Sequence, residues 1–161
     1  MLSEVPEGWE KCSLGEVVSL EYGKSLPEKT RIAGAYPVYG SAGIVGSHNE
    51  YLVESQSIVV GRKGTVGAIY KTAQPFFPID TTYYVVARNE LNWDWLTALL
   101  ESLQLARLNE ASGVPGLNRE RAYASEIALP PLNEQHRIAE ILSSVDASIQ
   151  ATQAVIEQAE R

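Results

Sequence analysis

The run LPPLNEQHRIAEILSSVDASI, residues 129–149, decides how the chain divides. Pro130 and Pro131 each lack a backbone N–H and have a fixed φ, so no preceding ladder or helix runs through them. Asn133 suits the N-cap position, and Glu134 places negative charge in the first turn, where the helix dipole favours it. Apolar or small residues then recur at Ile138, Leu142, Val145, Ile149, Thr152, Ile156 and Ala159, with alternating gaps of four and three. That is the heptad seam of a coiled coil, with Ser, Gln, Glu and Asp on the other faces. No glycine or proline occurs from Asn133 to Arg161, so one helix of roughly 40 Å is expected at 1.5 Å per residue. The alternative is an amphipathic helix lying on its own domain. A 3.5-residue period sustained to the last residues favours a partner helix instead. Ile138, Leu142, Val145, Ile149 and Ile156 are the expected pairing positions.

Ahead of the prolines the pattern changes. From Trp9 to about Arg88, short runs rich in Val, Ile, Tyr and Thr, such as SIVVG, GAIYK and TTYYVVA, alternate with Gly, Pro, Ser and Asn clusters. These read as short strands joined by tight turns. Residues 92–109 carry apolar residues at helical spacing through Trp95, Leu99, Leu103 and Ala106, predicting a helix, and the following SGVPGLNRERAYASEIALPPL returns to loop and short strand. The expected fold class is α+β: a β-rich globular domain with a flanking helix over residues 1–130, then a long C-terminal helix over 133–161 that forms coiled-coil contacts. At 161 residues and 45% hydrophobic content the chain suits one domain plus an extension.

An echo lies inside the β zone. VYGSAGIVG (38–46) and VVGRKGTVG (59–67) share V-x-G-x-x-G-x-V-G at an offset of 21. Two copies are too few for a solenoid. They read as two strand–turn–strand corners, the second carrying Arg62 and Lys63 at its tip. The glycines either serve the turns alone or let backbone approach a ligand.

Catalytic signatures fail on inspection. Gly23-Lys24-Ser25 resembles the end of a phosphate-binding loop, but Val18 stands where that loop needs a glycine. The glycine triplets lack the dinucleotide-binding spacing. Leu129-Pro130-Pro131-Leu132 resembles the Asn/Asp-Pro-Pro-aromatic grip of adenine methyltransferases without its polar acceptor or its ring. His48 and His136 have no second ligand at metal spacing and read as surface histidines. Asp80, between Pro78 and TTYY, reads equally as a turn residue or a site residue. No catalytic residue, metal or cofactor is expected. The single cysteine, Cys12, makes an intrachain disulfide impossible. With no apolar run of membrane length and an acidic start lacking an apolar stretch, a cytoplasmic protein is expected.

What remains is a binding surface. The net charge of −7 is unevenly spread: residues 21–88 hold seven bases against five acids, and residues 89–161 hold five against eleven. A mildly basic module between acidic flanks can meet phosphates. Tyr22, Lys24, Arg31, Tyr39, Arg62, Lys63, Lys71, Thr81 and Thr82 are the expected contact residues. Arginine and lysine supply phosphate and guanine contacts, and hydroxyls add groove-edge hydrogen bonds.

The order EGWEKCSLGEVV, YPVYGSAGIVG, SIVVGRKGTVGAIY, PFFPIDTTYYV and SGVPGLNRERAYASEIALPPLNEQHRIAEIL resembles one half of the DNA-specificity subunit of a type I restriction–modification system. The resemblance covers nearly the whole chain. Its most specific parts are the GRKG turn at residues 61–64 and LPPLNEQHRIAEIL at 129–142. It implies a target-recognition domain that reads one half of a split site in double-stranded DNA, followed by a spacer helix. It also implies assembly with a methyltransferase subunit and, through the complex, with a restriction and translocase subunit. Such units normally occur twice in one chain, their helices packed antiparallel. A chain with one unit is then either a piece of a longer subunit or a half-subunit that homodimerises. A different class of function, a coiled-coil adaptor that binds only protein, predicts partner capture indifferent to charge reversal at Arg62 and Lys63.

Overall fold

A computed structural model describes residues 4–109 and 116–159. Strand β1 (Glu10–Ser13) runs into a single-turn helix, α1 (Leu14–Val17), and then β2 (Val18–Tyr22). Ser13 starts α1, its N–H and hydroxyl both donating to Glu16 Oε2 at 2.7 Å. Glu16 is held below the usual carboxylate range by these two bonds. The remaining strands are β3 (Tyr36–Gly40), β4 (Gly43–His48), β5 (Ile58–Gly61), β6 (Ile69–Lys71), β7 (Phe77–Pro78), β8 (Thr82–Ala87) and β9 (Glu126–Leu129). The helices after α1 are α2 (Trp93–Ser102), α3 (Arg119–Tyr123) and α4 (Leu132–Ala159).

Among the described residues the strands form three small sheets. The largest has the order β2-β8-β5-β6 and is antiparallel throughout, with Leu20 opposite Val85 and Val59 opposite Tyr84. In β2 the period-2 pattern runs through Leu20: Val18 and Leu20 are buried and Ser19 lies less buried between them, while Tyr22 at the end of the strand is exposed. A second sheet, β4-β3-β7, pairs β3 with β7 in parallel. The third joins β1 to β9, Cys12 opposite Ile127, and brings the start of the chain beside the approach to α4. The core lies between the four-stranded sheet and the helices. Leu14, Val18, Leu20, Ile58, Val60, Leu96 and Leu100 are among its fully enclosed members.

The α+β class and the strands at SIVVG, GAIYK and TTYYVVA hold as read from sequence. Both glycine echoes are strand–turn–strand corners, β3–β4 and β5–β6. The helix expected over 92–109 is shorter: α2 ends at Ser102 with Leu103 as its C-cap, Gln104 adopts φ +50°, and a 3-10 turn follows over Leu105–Leu108. The break turns Leu105 into the core, where it is 1% exposed. Gly67 packs against the backbone of that turn, leaving no room for a Cβ. In the segment after residue 109, α3 was not expected, and residues 112–115 of that reading lie outside the described residues.

The start of α4 also differs. Asn133 lies inside the first turn, and the Pro131 carbonyl accepts from the N–H groups of Glu134 and Gln135 at 2.9 and 3.0 Å. Proline fits here because its absent N–H is one the first turn leaves unpaired anyway. Only Gln135 and Ala139 of α4 are buried. Ile138, expected as a pairing position, packs against the domain core instead, beside Trp9, Trp95, Leu99 and Leu103. Leu142, Val145, Ile149 and Ile156 remain 41–51% exposed, and Ile141 and Val155 join them at 63% and 66%.

Candidate nucleic-acid interface

Five segments meet at one end of the sheets. They are Tyr22–Lys24 after β2, the β3–β4 turn at Ser41, the loop after β5 from Arg62 to Gly67, Ile79–Thr81 before β8, and Leu117–Arg119. Backbone bonds join them directly. Gly23 N–H donates to Thr82 O and Lys24 N–H to Pro78 O, each at 3.1 Å. The N–H groups of Arg62 and Lys63 both donate to Thr81 O, at 2.9 and 3.1 Å, and Leu117 N–H donates to Arg62 O at 2.8 Å. Ser41 Oγ accepts from Thr65 N–H at 3.3 Å. Such closeness needs glycine: a Cβ on Gly23 would strike the Ile79 carbonyl, and one on Gly61 the Thr65 carbonyl.

A tyrosine–arginine stack sits on this frame. The guanidinium carbons of Arg62 and Arg119 lie 4.9 and 5.0 Å from the Tyr22 ring centroid, and the Tyr83 ring is 5.1 Å from that of Tyr22. Cation–π attraction of this kind holds a guanidinium in place without using its N–H groups. Arg62 spends one on Asp80 O at 2.7 Å. Arg119 Nη1 reaches Leu20 O at 3.4 Å, and its Nε lies 3.7 Å from Glu120 Oε1. Tyr83 donates to Leu117 O at 3.2 Å and is 2% exposed. Burial, then the neighbouring Tyr22 hydroxyl, push the Tyr83 phenol up to about 12, although Arg62 and Arg119 pull the other way. Lys24 and Lys63 are exposed on the same loops. The cluster thus offers two positioned forks and two exposed ammonium groups, donors suited to phosphate and base-edge acceptors.

Of the residues expected from sequence, Tyr22, Lys24, Arg62, Lys63 and Thr81 share this cluster. Thr82 neighbours it but is fully buried, its hydroxyl donating to Ile79 O at 2.8 Å. Thr82 therefore shapes the loop from within. Tyr39 is half-buried, edge-on to Phe76 at 5.6 Å, and its phenol is raised by burial. Arg31 binds the carbonyls of Leu26 and Val45 at 3.2 and 2.8 Å, tying its segment to β4. Lys71 is salt-bridged to Asp94 of α2, in a hollow lined also by Leu142 and Asp146 of α4. His48 is not a surface residue: it is 7% exposed, its Nδ1 accepts from Ile32 N–H at 3.1 Å, and Phe77 meets it edge-on. Asp80 is a turn residue, and its backbone carbonyl serves Arg62. Arg119 was missed. Its only sequence signal was the charged NRER run, which has no periodicity to orient it.

Among the described residues no group of three His, Cys, Asp or Glu side chains could hold a metal ion. No helix among them is long and apolar enough to cross a membrane.

The chain thus combines a β-rich domain, a cationic loop end and a projecting helix. The type I restriction modification DNA specificity domain matches residues 6–161, and the chain belongs to that family. It is 25% identical over 140 residues to the EcoprrI specificity subunit of Escherichia coli and 26% identical over 157 residues to the EcoDI specificity subunit. These matches take in 83% and 96% of the chain and 35% of either relative, so the chain spans about a third of their length. Its fold is shared with the S subunit from M. genitalium (TM-score 0.76, 20% identity, 98% of this chain and 44% of that one). The HsdS subunit from Thermoanaerobacter tengcongensis also shares it (TM-score 0.72, 21% identity, 93% and 40%).

Proposed function

We propose that this chain is a non-catalytic DNA-reading unit that recognises one half of a split double-stranded target through the loop end of residues 22–24, 41, 62–65, 79–81 and 117–119. The observation that carries this reading is the stacking of Arg62 and Arg119 over Tyr22 between exposed Lys24 and Lys63. Planar forks held by a ring lose little freedom when they bind a base edge or phosphate, and the flanking lysines add sequence-independent attraction. Residues 4–129 form the recognition domain. α4 pairs with a second helix of the same kind, from another copy or a second half of a longer chain. Through it the unit joins a methyltransferase subunit and, by way of that complex, a restriction and translocase subunit.

The test is selection from a random duplex library by the chain with a cognate methyltransferase subunit, over a series of salt concentrations. One enriched half-site with salt-dependent affinity supports the reading. Absence of enrichment, or capture of the methyltransferase subunit with no DNA preference, replaces it with a protein-binding adaptor.

A further inference from the structure

We infer that Glu134, Gln135 and His136 are positioning residues that lock both the tilt and the rotation of α4 against the recognition domain. Gln135 is 2% exposed, and its two amide atoms bind two different segments. Its Oε1 accepts from Asn92 N–H at 2.9 Å, ahead of α2, and its Nε2 donates to Pro130 O at 3.0 Å. On one side of it, Glu134 Oε2 accepts from Trp9 Nε1 at 2.6 Å, reaching the segment before β1. On the other, Asn92 Nδ2 meets His136 Nδ1 at 2.9 Å. Asn92 Oδ1 already caps α2 by accepting from Trp95 N–H, so its amide nitrogen is the donor and His136 Nδ1 the acceptor.

The geometry follows from helical spacing. Three consecutive residues point about 100° apart around an α-helix, so ties from all three grip it on different sides of its axis. One such tie leaves a helix free to roll; three do not. Ile138 and Ala139, one turn later, seat the helix against Trp95, Leu99 and Leu103 and fix its tilt. Pro130 and Pro131 stiffen the connection itself. No other residue of α4 is buried, so everything beyond this turn is a lever. The 20 residues from 140 to 159 span about 30 Å, and a tilt of about 10° carries their far end about 5 Å, more than the rise of one base pair of DNA. Rotation decides which face α4 offers a partner.

The consequence for half-site spacing rests on the DNA-reading proposal; the locking of the helix does not. Two measurements separate them. Spin labels at Glu50→Cys and Ala154→Cys, in a Cys12→Ala background and diluted with unlabelled chain, report the angle of α4 as a within-chain distance distribution. A single narrow distance is expected for the parent. Gln135→Ala should broaden and shift it with α2 and the sheets intact by amide exchange. The paired Trp9→Phe and His136→Ala leave Gln135 as the one remaining tie and should also broaden it, by freeing the roll of the helix. A distribution unchanged in all variants overturns the inference. In the methyltransferase complex, duplexes with fixed half-sites and varied spacers should show one preferred spacer for the parent and several for Gln135→Ala, with half-site bases unchanged. Identical spacer preference in the variant also overturns the inference, whereas loss of all half-site enrichment in the parent overturns the DNA reading alone.

Discussion

The guanidinium of Arg62 lies 4.9 Å from the ring centroid of Tyr22, with the loop after β5 thereby resting on the end of β2. Arg119 joins the same ring from the α3 side at 5.0 Å. Three separate parts of the chain therefore share one aromatic platform. The platform is 48% exposed, so it faces whatever the loops face.

Replacing the platform tests its role directly. Tyr22→Leu removes two exposed cation–π contacts worth about 0.5–1 kcal/mol each, so it should lower unfolding stability by about 1–2 kcal/mol in urea titrations. DNA affinity by fluorescence anisotropy should fall further than stability, because both forks lose their orientation. Tyr22→Phe keeps the ring and should retain most of the affinity.

Lys24 and Lys63 are exposed, so their reversal to glutamate should leave stability within about 0.5 kcal/mol. Affinity should fall for all DNA sequences alike, and each lost phosphate contact should reduce the slope of log K against log salt by about 1. Lys71→Glu serves as the contrast. It breaks the pairing with Asp94 beside α4 and should leave the salt slope unchanged.

Tyr83 gives the site a pH signature. Its folded-state value of about 12 lies above the ordinary tyrosine value, so the native state favours the neutral phenol. The resulting stabilisation is complete below pH 10 and is lost as pH rises from about 10 through about 12. Absorbance titration should show a late tyrosine phase that shrinks by one phenol in Tyr83→Phe, and the alkaline loss of stability should be shallower in that variant. Its stability near neutral pH should be lower, since the bond to the Leu117 carbonyl is gone.

How much of this was legible in the sequence follows from the range of each signal. The strands β5, β6 and β8 announce themselves by β-branched and aromatic runs, and α4 by its heptads, because those patterns are local. α1 and α3 have four and five residues, too few to show a period. The β1–β9 pairing joins distant segments and leaves no local trace. Residue type alone made Thr82, Lys71 and Arg31 look like contact residues, yet burial, Asp94 and two backbone carbonyls respectively claim them. Arg119 meets Tyr22 across about a hundred residues of sequence, beside the bond from Leu117 N–H to Arg62 O. Gln135 looked like an ordinary polar helix position, and only the pairing of its amide with Asn92 and Pro130 gives it a task.

Two of the three glycines of the second corner, Gly64 and Gly67, should respond unequally to alanine. Both have positive φ, +77° at Gly64 and +75° at Gly67, which alone costs each variant about 1 kcal/mol or more. At Gly64 the new methyl meets only Ser41 Oγ, at 2.9 Å, a hydroxyl that can rotate away. At Gly67 it meets the backbone of Ala106 and Leu105, which cannot move without withdrawing Leu105 from the core. Thermal unfolding should therefore place Gly67→Ala well below Gly64→Ala.

The exposed length of α4 leads to the last expectation. Beyond Ala139 no described residue of the helix is buried, and Leu142, Val145, Ile149 and Ile156 stand exposed along one seam. Helices in proteins draw most of their stability from packing of an apolar face, because intrahelical bonds scarcely offset the cost of ordering the chain. A partner helix supplies the missing burial, at roughly 25 cal/mol per Å² of apolar surface covered. Far-UV helicity should accordingly rise with protein concentration, in step with the association seen by sedimentation. Ile149→Asp places a charge at the middle of the seam and should abolish both the association and the added helicity. The domain's thermal unfolding should stay unchanged, since Ile149 touches nothing in the core. Helicity that is independent of concentration, with Ile149→Asp behaving as the parent, would show that α4 stands without a partner of its own kind.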